Sequence, residues 1–232
     1  MRAGDDLATL LAAAAERAGG FEERDVVVVA QKAVSKAEGR VVRLREVEPS
    51  RLAREIAGDH DPRRLEVVLR EATRIVRMRP PLVIAETRHG FVCASAGVDG
   101  SNAPEPDSIV LLPLDPDASA ASLRRRLGEQ TGREVGVLVS DSFGRAWRRG
   151  TTDVAIGVAG VEPLLDLAGE RDPVGYELHA TVIAIADEIA GAAELVMGKT
   201  AGVPAAIVRG FEAAGEGSGR DLVIPPGRDL FR

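Results

Sequence analysis

The amino-acid sequence predicts one domain of the mixed α+β class. Short β-branched runs such as Val26-Val27-Val28-Val29 alternate with amphipathic stretches, but irregularly, without the βαβ repeat of a doubly wound sheet. No internal repeat and no linker divides the 232 residues into two blocks. Hydrophobic residues make up 45% of the chain and aromatics only 3%, so the core has to be built from Ala, Val, Leu and Ile.

The elements follow in chain order. Asp5 to Ala18 has helical spacing, with Leu7, Leu10, Leu11 and Ala14 on one face behind the acidic start. Asp25 to Ala30 reads as a buried strand, and Gln31 to Gly39 carries polar residues off its end. Val41 to Leu44 is a second short strand. Pro49-Ser50 opens a helix through Ala57, and a further helix is expected from Pro62 to Met78, with Leu65, Val68, Leu69, Ala72 and Val76 inside and Pro80-Pro81 as its stop. Leu82 to Ala85 and Gly90 to Ala94 form a predicted hairpin around Arg88-His89-Gly90, followed by a strand at Ile109 to Leu112. Asp117-Ala118-Ser119 is the expected cap of a helix from Ala120 to Gly132. Glu134 to Val139 is a buried strand ending at Ser140-Asp141-Ser142, and Asp153 to Val158 is another. Thr181 to Ala184 reads as a strand, Asp187 to Met197 as a helix and Ala205 to Val208 as the last strand. The segment from Gly210 is rich in Gly, Arg and acidic residues and is expected to be mobile.

Composition excludes several classes. A net charge of −6 disfavours generic nucleic-acid binding, which needs a basic surface. Cys93 is the only cysteine, so no intrachain disulfide forms. No apolar run approaches the roughly 20 residues of a membrane span, and no signal peptide is evident at Met1, so a cytoplasmic protein without a membrane partner is expected. The three histidines, His60, His89 and His179, lack metal-ligand spacing. Cys93 reads as core rather than nucleophile.

Two segments carry chemistry. Gly97-Val98-Asp99-Gly100-Ser101-Asn102 follows a strand, where a carboxylate flanked by glycine can aim into a crevice; hard cations take such oxygens together with phosphate and water. A plain Asx turn is the competing reading. Ser140-Asp141-Ser142 leaves a buried strand and is followed by Arg145, Trp147, Arg148 and Arg149; an acid and a hydroxyl suit a metal, and arginine forks suit phosphate or carboxylate. Its rival is a solvated basic turn. Gln31, Lys32 and Lys36 leave the first strand, where lysines reach phosphates as point charges, although solvated lysines are the simpler reading. Met197-Gly198-Lys199-Thr200 imitates the end of a P-loop but has Ala193 where the motif needs Gly, and it follows a helix; Gly198 reads as a helix C-cap.

The order of these pieces resembles the coenzyme F420:L-glutamate ligase family, also called γ-glutamyl ligases. The pieces are Val34 to Gly39, Ala96 to Asn102, Leu114 to Asp117 with Leu123 to Arg126, Ser140 to Arg145, Asp153 to Gly157 and Ala186 to Ala190. The resemblance covers Gly4 to Gly210, leaving 211–232 as a tail, and is greatest to the N-terminal ligase domain of the actinobacterial bifunctional enzyme. It implies a mixed α+β fold in an intertwined homodimer. It also implies a GTP-dependent ligase that adds one or more γ-linked L-glutamates to the deazaflavin coenzyme F420 precursor through an acyl phosphate, with Mg²⁺ or Mn²⁺, and with K⁺ as a further candidate ion. By position, Asp99 and Asp141 match metal-binding aspartates with Ser142 beside them. Gln31, Lys32, Lys36 and Asn102 match nucleotide-contacting positions, as does the turn Met197, Gly198, Lys199, Thr200, Ala201, Gly202, Val203. Arg145 and Arg148 are added as clamps on physical grounds alone. Two departures stand out: Lys199 occupies a place where archaeal members carry a metal-holding Glu, and the chain starts without their N-terminal strand. These motivate one alternative, a deazaflavin-binding paralogue without ligase activity. The Asp pair and arginines taken alone suggest another, a metal-dependent phosphohydrolase.

Overall fold

Val26 to Ala30 forms the strand around which the domain is organised in the computed structural model, which describes residues 1–230. The elements in chain order are α1 (Leu7–Arg17), β1 (Val26–Ala30), α2 (Gln31–Ala37), β2 (Val41–Arg43), α3 (Arg51–Ala57), α4 (Pro62–Glu71), β3 (Ala72–Arg79), β4 (Leu82–Thr87), β5 (Val92–Ala94) and β6 (Ser108–Val110). They continue as α5 (Pro116–Thr131), β7 (Gly136–Gly144), β8 (Thr151–Ala159), β9 (Leu165–Asp166), β10 (Val182–Ile183), α6 (Ile185–Met197) and β11 (Ala205–Val208). The main sheet has the order β11-β1-β7-β8, with β1 and β7 parallel and the other pairs antiparallel.

Successive residues of a strand face opposite sides, and β1 uses both. Val27 and Val29 pack with Val137, Val139, Leu123 and Leu127 under α1 and α5. Val26 and Val28 pack with Leu138, Ile185, Ile189 and Ala193 under α6. Burial on both faces explains why β1 reads as a continuous apolar run rather than an alternation. A separate core joins α4, β4 and β6 through Val67, Val68, Val83, Ala85 and Ile109. The β3-β4-β5 sheet and the β2-β6 pair flank it. The mixed α+β class is what the sequence predicts.

Local expectations differ in four places. The helix expected to reach Met78 stops at Glu71, and Ala72–Arg79 becomes β3, paired antiparallel with β4. Thr73, Ile75 and Val76 are β-branched, and Arg74 meets Glu86 across the pair at 2.9 Å, so a tertiary partner overrides the helical spacing. On α1 the inner residues are Leu7, Ala8, Leu11 and Ala15, whereas Leu10 is 50% exposed and Ala14 also faces solvent. The cap of α5 is Asp115, whose carboxylate accepts from the Ala118 amide at 3.0 Å ahead of Pro116 at the first helical position. Asp117 instead accepts from the Val158 and Gly219 amides at 2.8 and 2.7 Å, tying α5 to β8 and to the chain's last segment. Within that segment residues 213–223 are packed: Ala213 is buried, the Glu162 amide donates to its carbonyl, and Val223 packs on the main core. His89 is hydrogen-bonded, its Nε2 lying 3.0 and 3.1 Å from the Pro113 and Leu114 carbonyls.

Asp25, just before β1, is 1% exposed and receives Arg209, just after β11, at 2.9 and 2.7 Å. The Arg209 guanidinium holds the Asp25 carboxyl below its ordinary value. Removing the arginine leaves a buried carboxylate unpaired. Arg209→Ala is therefore expected to destabilise the domain near pH 7, by less than a fully buried pair would because the guanidinium remains partly in water. A depressed acid contributes stability above its unfolded value, so the difference from the parent should shrink as pH falls below about 4. Urea melts of both proteins across that range measure it; a pH-independent difference would exclude the ion pair as its source.

Candidate functional site

β1 ends at Ala30, opposite Ser140 of its parallel neighbour β7. Open α/β arrangements place ligands outside the carboxyl ends of parallel strands, and here the end of β1 and the adjoining stretch Ser140 to Ser142 of β7 open into a cleft of about 310 Å³. Its walls come from α2, from the end of β7, from α6 and from the turn after α6.

A bulge sets the register at the mouth. Val139 pairs with Gly157 but Ser140 pairs with Ala155, so Ile156 is the extra residue on β8. Beyond it β7 continues to Gly144, so Asp141 lies within the strand and not at its end as expected. Ser140 and Ser142 face the α6 side, and both donate to Asp153 of β8, Ser140 at 2.9 Å. Asp153 is 6% exposed, and its backbone amide donates to Glu194 of α6 at 2.9 Å. Lys199, in the turn after α6, donates to the Ser142 hydroxyl.

Asp141 faces the other way, toward α2. Burial pushes its carboxyl up to about 7; the Ser142 backbone and the Lys32 and Lys199 ammonium groups oppose this, and Asp153 adds to it. No cation comes within ion-pair distance of Asp141 among the described residues. Asp99 behaves oppositely. Burial raises it, but the Lys32 ammonium at 2.5 Å and the Ser101 amide and hydroxyl, both at 2.8 Å, outweigh that and hold it at about 2. The Ser101 amide bond is the Asx turn read as a competing account of this segment, and the turn aims the carboxylate at Lys32, so both readings describe the same loop. Lys32 also donates to Ser101 Oγ at 2.5 Å.

The structure brings together Gln31, Lys32, Lys36, Asn102, Asp141, Ser142, Met197, Gly198, Lys199, Gly202 and Val203 as lining of this cleft. Asp99 joins it through Lys32. Gln31 is buried and its amide is committed to Ser35 Oγ at 2.6 Å and the Leu111 carbonyl at 2.8 Å, which fixes the start of α2. Lys36 donates to the Asn102 carbonyl at 3.2 Å, and burial lowers its pKa. Gly198 is the α6 C-cap, with φ +57°. Thr200 and Ala201 are exposed beyond the lining. Arg145 and Arg148 are not brought to the cleft: both sit on the exposed turn after β7, Arg145 donating to the Arg149 carbonyl at 3.2 Å.

Asp153 and Glu194 line the cleft but were not singled out from the sequence. Asp153 could have been found, since a carboxylate opening an apolar strand needs partners when buried. Glu194 could not, because its role depends on the register of α6 over β8. The donor set of carboxylates and hydroxyls fits a hard divalent cation that keeps phosphate and water in its shell. No three His, Cys, Asp or Glu side chains converge as a closed cage among the described residues. Nor is any described helix long and apolar enough to cross a membrane.

Sequence comparison gives the family. The signature of the F420-0:gamma-glutamyl ligase family matches residues 1–210. The coenzyme F420:L-glutamate ligase of Methanopyrus kandleri is 49% identical over 240 aligned positions, covering 100% of this chain and 93% of that one. Proteins of the same name from Methanothermobacter thermautotrophicus and Methanocaldococcus jannaschii are each 44% identical, covering 99% and 91% of this chain and 94% and 86% of theirs.

Proposed function

The chain belongs to the F420-0:gamma-glutamyl ligase family, and from that premise we propose that it joins L-glutamate to a coenzyme F420 precursor in a reaction driven by GTP. The γ-phosphoryl group passes to the precursor's terminal carboxylate, breaking the bond to GDP and forming an acyl phosphate. The glutamate amine then attacks the acyl carbon, phosphate leaves with the bonding pair, and the nitrogen gives up a proton. Such chemistry is mostly positioning and offset of charge.

The observation that best supports this reading is the Asp141 carboxyl, half-buried on β7 beside the end of β1, without an ion-pair partner and acted on by the Lys32 and Lys199 ammonium groups. Lys32 and Lys36 bring positive charge to the nucleotide phosphates. Asp99, Asp141 and Ser142 would hold Mg²⁺ or Mn²⁺, which would supply charge neutralisation for the phosphates. Asp153 positions Ser140 and Ser142 by accepting both hydroxyls, and Glu194 fixes the Asp153 backbone. A homodimer is part of the proposal; the exposed Val174, Leu195 and Val196 supply apolar area for a second copy.

Mass spectrometry of the precursor after incubation with protein, GTP, Mg²⁺ or Mn²⁺ and L-glutamate tests the reading. Added glutamyl units that require GTP would establish it. Phosphate release without glutamate would indicate a phosphohydrolase, and precursor binding without either product would indicate a binding paralogue.

Cation binding should depend on pH. A carboxyl held near 7 must lose its proton to accept a cation, so divalent-dependent GTP affinity is expected to fall below pH 7, by up to roughly tenfold per unit. Calorimetric titration at pH 6, 7 and 8 measures this, and equal affinities at all three would exclude Asp141 as a cation-linked acid.

A further inference from the structure

We propose that the cavity walled by Phe91, Phe143 and Trp147 binds the planar fused-ring head of the acceptor, with the acceptor's carboxylate tail reaching along β7 to Asp141. This rests on the ligase reading above and names the part of the substrate that the catalytic cleft does not explain. The cavity measures about 810 Å³, within the range of small-molecule sites and larger than the catalytic cleft. The chain has only five Phe, one Tyr and one Trp, and three of these seven wall this one cavity. Phe91 and Phe143 meet edge to face at 6.2 Å, so a third ring entering beside them finds an aromatic wall already held in place.

Its position on the strand connects it to the chemistry. Asp141 and Phe143 are two residues apart on β7 and share a face, about 7 Å from one to the other. A ring system against Phe143 therefore has its side chain directed along the strand toward the Asp141 carboxyl. Trp147 lines the cavity while 83% exposed, and it sits in the left-handed region at φ +58°, an unfavourable backbone for a bulky residue. Arg77 and Asp187 also line the cavity and give polar partners for ring carbonyl and N–H edges. The Asp187 carboxylate accepts from the Ala155 amide at 2.9 Å, which orients it, and burial raises its pKa.

Trp147 is the sole tryptophan, so its fluorescence reports on this cavity alone. Titrating the full chain with the F420 precursor, without GTP or glutamate, is expected to quench that emission to saturation. Trp147→Ala and Phe143→Leu are each expected to raise the precursor's KM at least tenfold while the KM values for GTP and glutamate stay within twofold. Trp147→Ala removes an exposed side chain and should fold, which protects the test if Phe143→Leu does not. If Trp147→Ala leaves the precursor's KM and its dissociation constant by equilibrium dialysis unchanged while glutamyl addition continues, the cavity assignment is wrong and the ligase reading stands. Quenching and precursor binding without glutamyl addition would keep the cavity and overturn the ligase reading. A shift in oligomeric state on size exclusion, with unchanged precursor binding, would assign the face to a second copy of the chain and overturn the proposal.

Discussion

Asp141→Asn is expected to lower GTP-dependent glutamyl addition by about 10³-fold, the scale of removing one preorganised charge from a water-poor site. Asparagine keeps the size of the side chain and one oxygen, so β7 and its pairing with β8 should be unaffected. What is lost is the negative charge between Lys32 and Lys199 that would attract a divalent cation. The same substitution should make the protein more stable when no divalent cation is present. An acid raised to about 7 is disfavoured in its charged form by the fold, so it takes stability away as pH rises from the ordinary aspartate range through 7. The gain for Asp141→Asn should be absent near pH 4 and complete above pH 8. Measuring turnover and thermal midpoint on the same preparations separates the two effects. Retained turnover would remove Asp141 from the site, and a loss of turnover together with a loss of stability would make its role structural. A residue that lowers stability at the pH where it supports activity is the expected signature of a functional carboxylate.

The central sheet was legible because its strands are buried on both faces: Val26 to Val29 and Val137 to Val139 have no polar residue to blur the run. The cleft was legible by a different route. Lys32, Asp141 and Lys199 line it together, and it was the family resemblance that pointed to all three, since solvated lysines were the simpler local reading. What stayed hidden depends on partners distant in sequence. Nothing near Ala72 announces that β4 will take up the segment after Glu71, and helical spacing continues past the true boundary. Asp117 looks like a cap from its neighbours, yet its acceptors are spent on Val158 and Gly219, 41 and 102 residues away. Arg145 and Arg148 looked like clamps because they follow Asp141 closely in sequence. The strand runs on to Gly144 and carries them out to solvent, while Phe143 and Trp147 from the same stretch line the neighbouring cavity.

Gly157→Ala is expected to destabilise the domain by about 3 kcal/mol or more, because nothing around it can move cheaply. A Cβ at this position would lie 2.2 Å from the Pro116 carbonyl oxygen and 2.5 Å from its carbon, and both are backbone at the start of α5. The backbone conformation of Gly157 is not the reason: the close approach of β8 to α5 is. Relief by moving α5 is blocked by Asp117, whose carboxylate holds the Val158 amide at 2.8 Å. Relief by moving β8 disturbs the bulge at Ile156, and with it the pairing that sets Asp153 opposite Ser142. The variant should therefore lose glutamyl addition even at temperatures where it is still folded, through displaced hydroxyls and not through any missing reactive group. Gly227→Ala is the control: no atom lies within 4 Å of a Cβ there, and its effect should stay within about 0.5 kcal/mol. Urea melts of both variants with parallel turnover assays decide the matter. If Gly157→Ala melts with the parent, the tight seam between α5 and β8 does not exist in solution, and the bulge cannot be what places Asp153 behind the site.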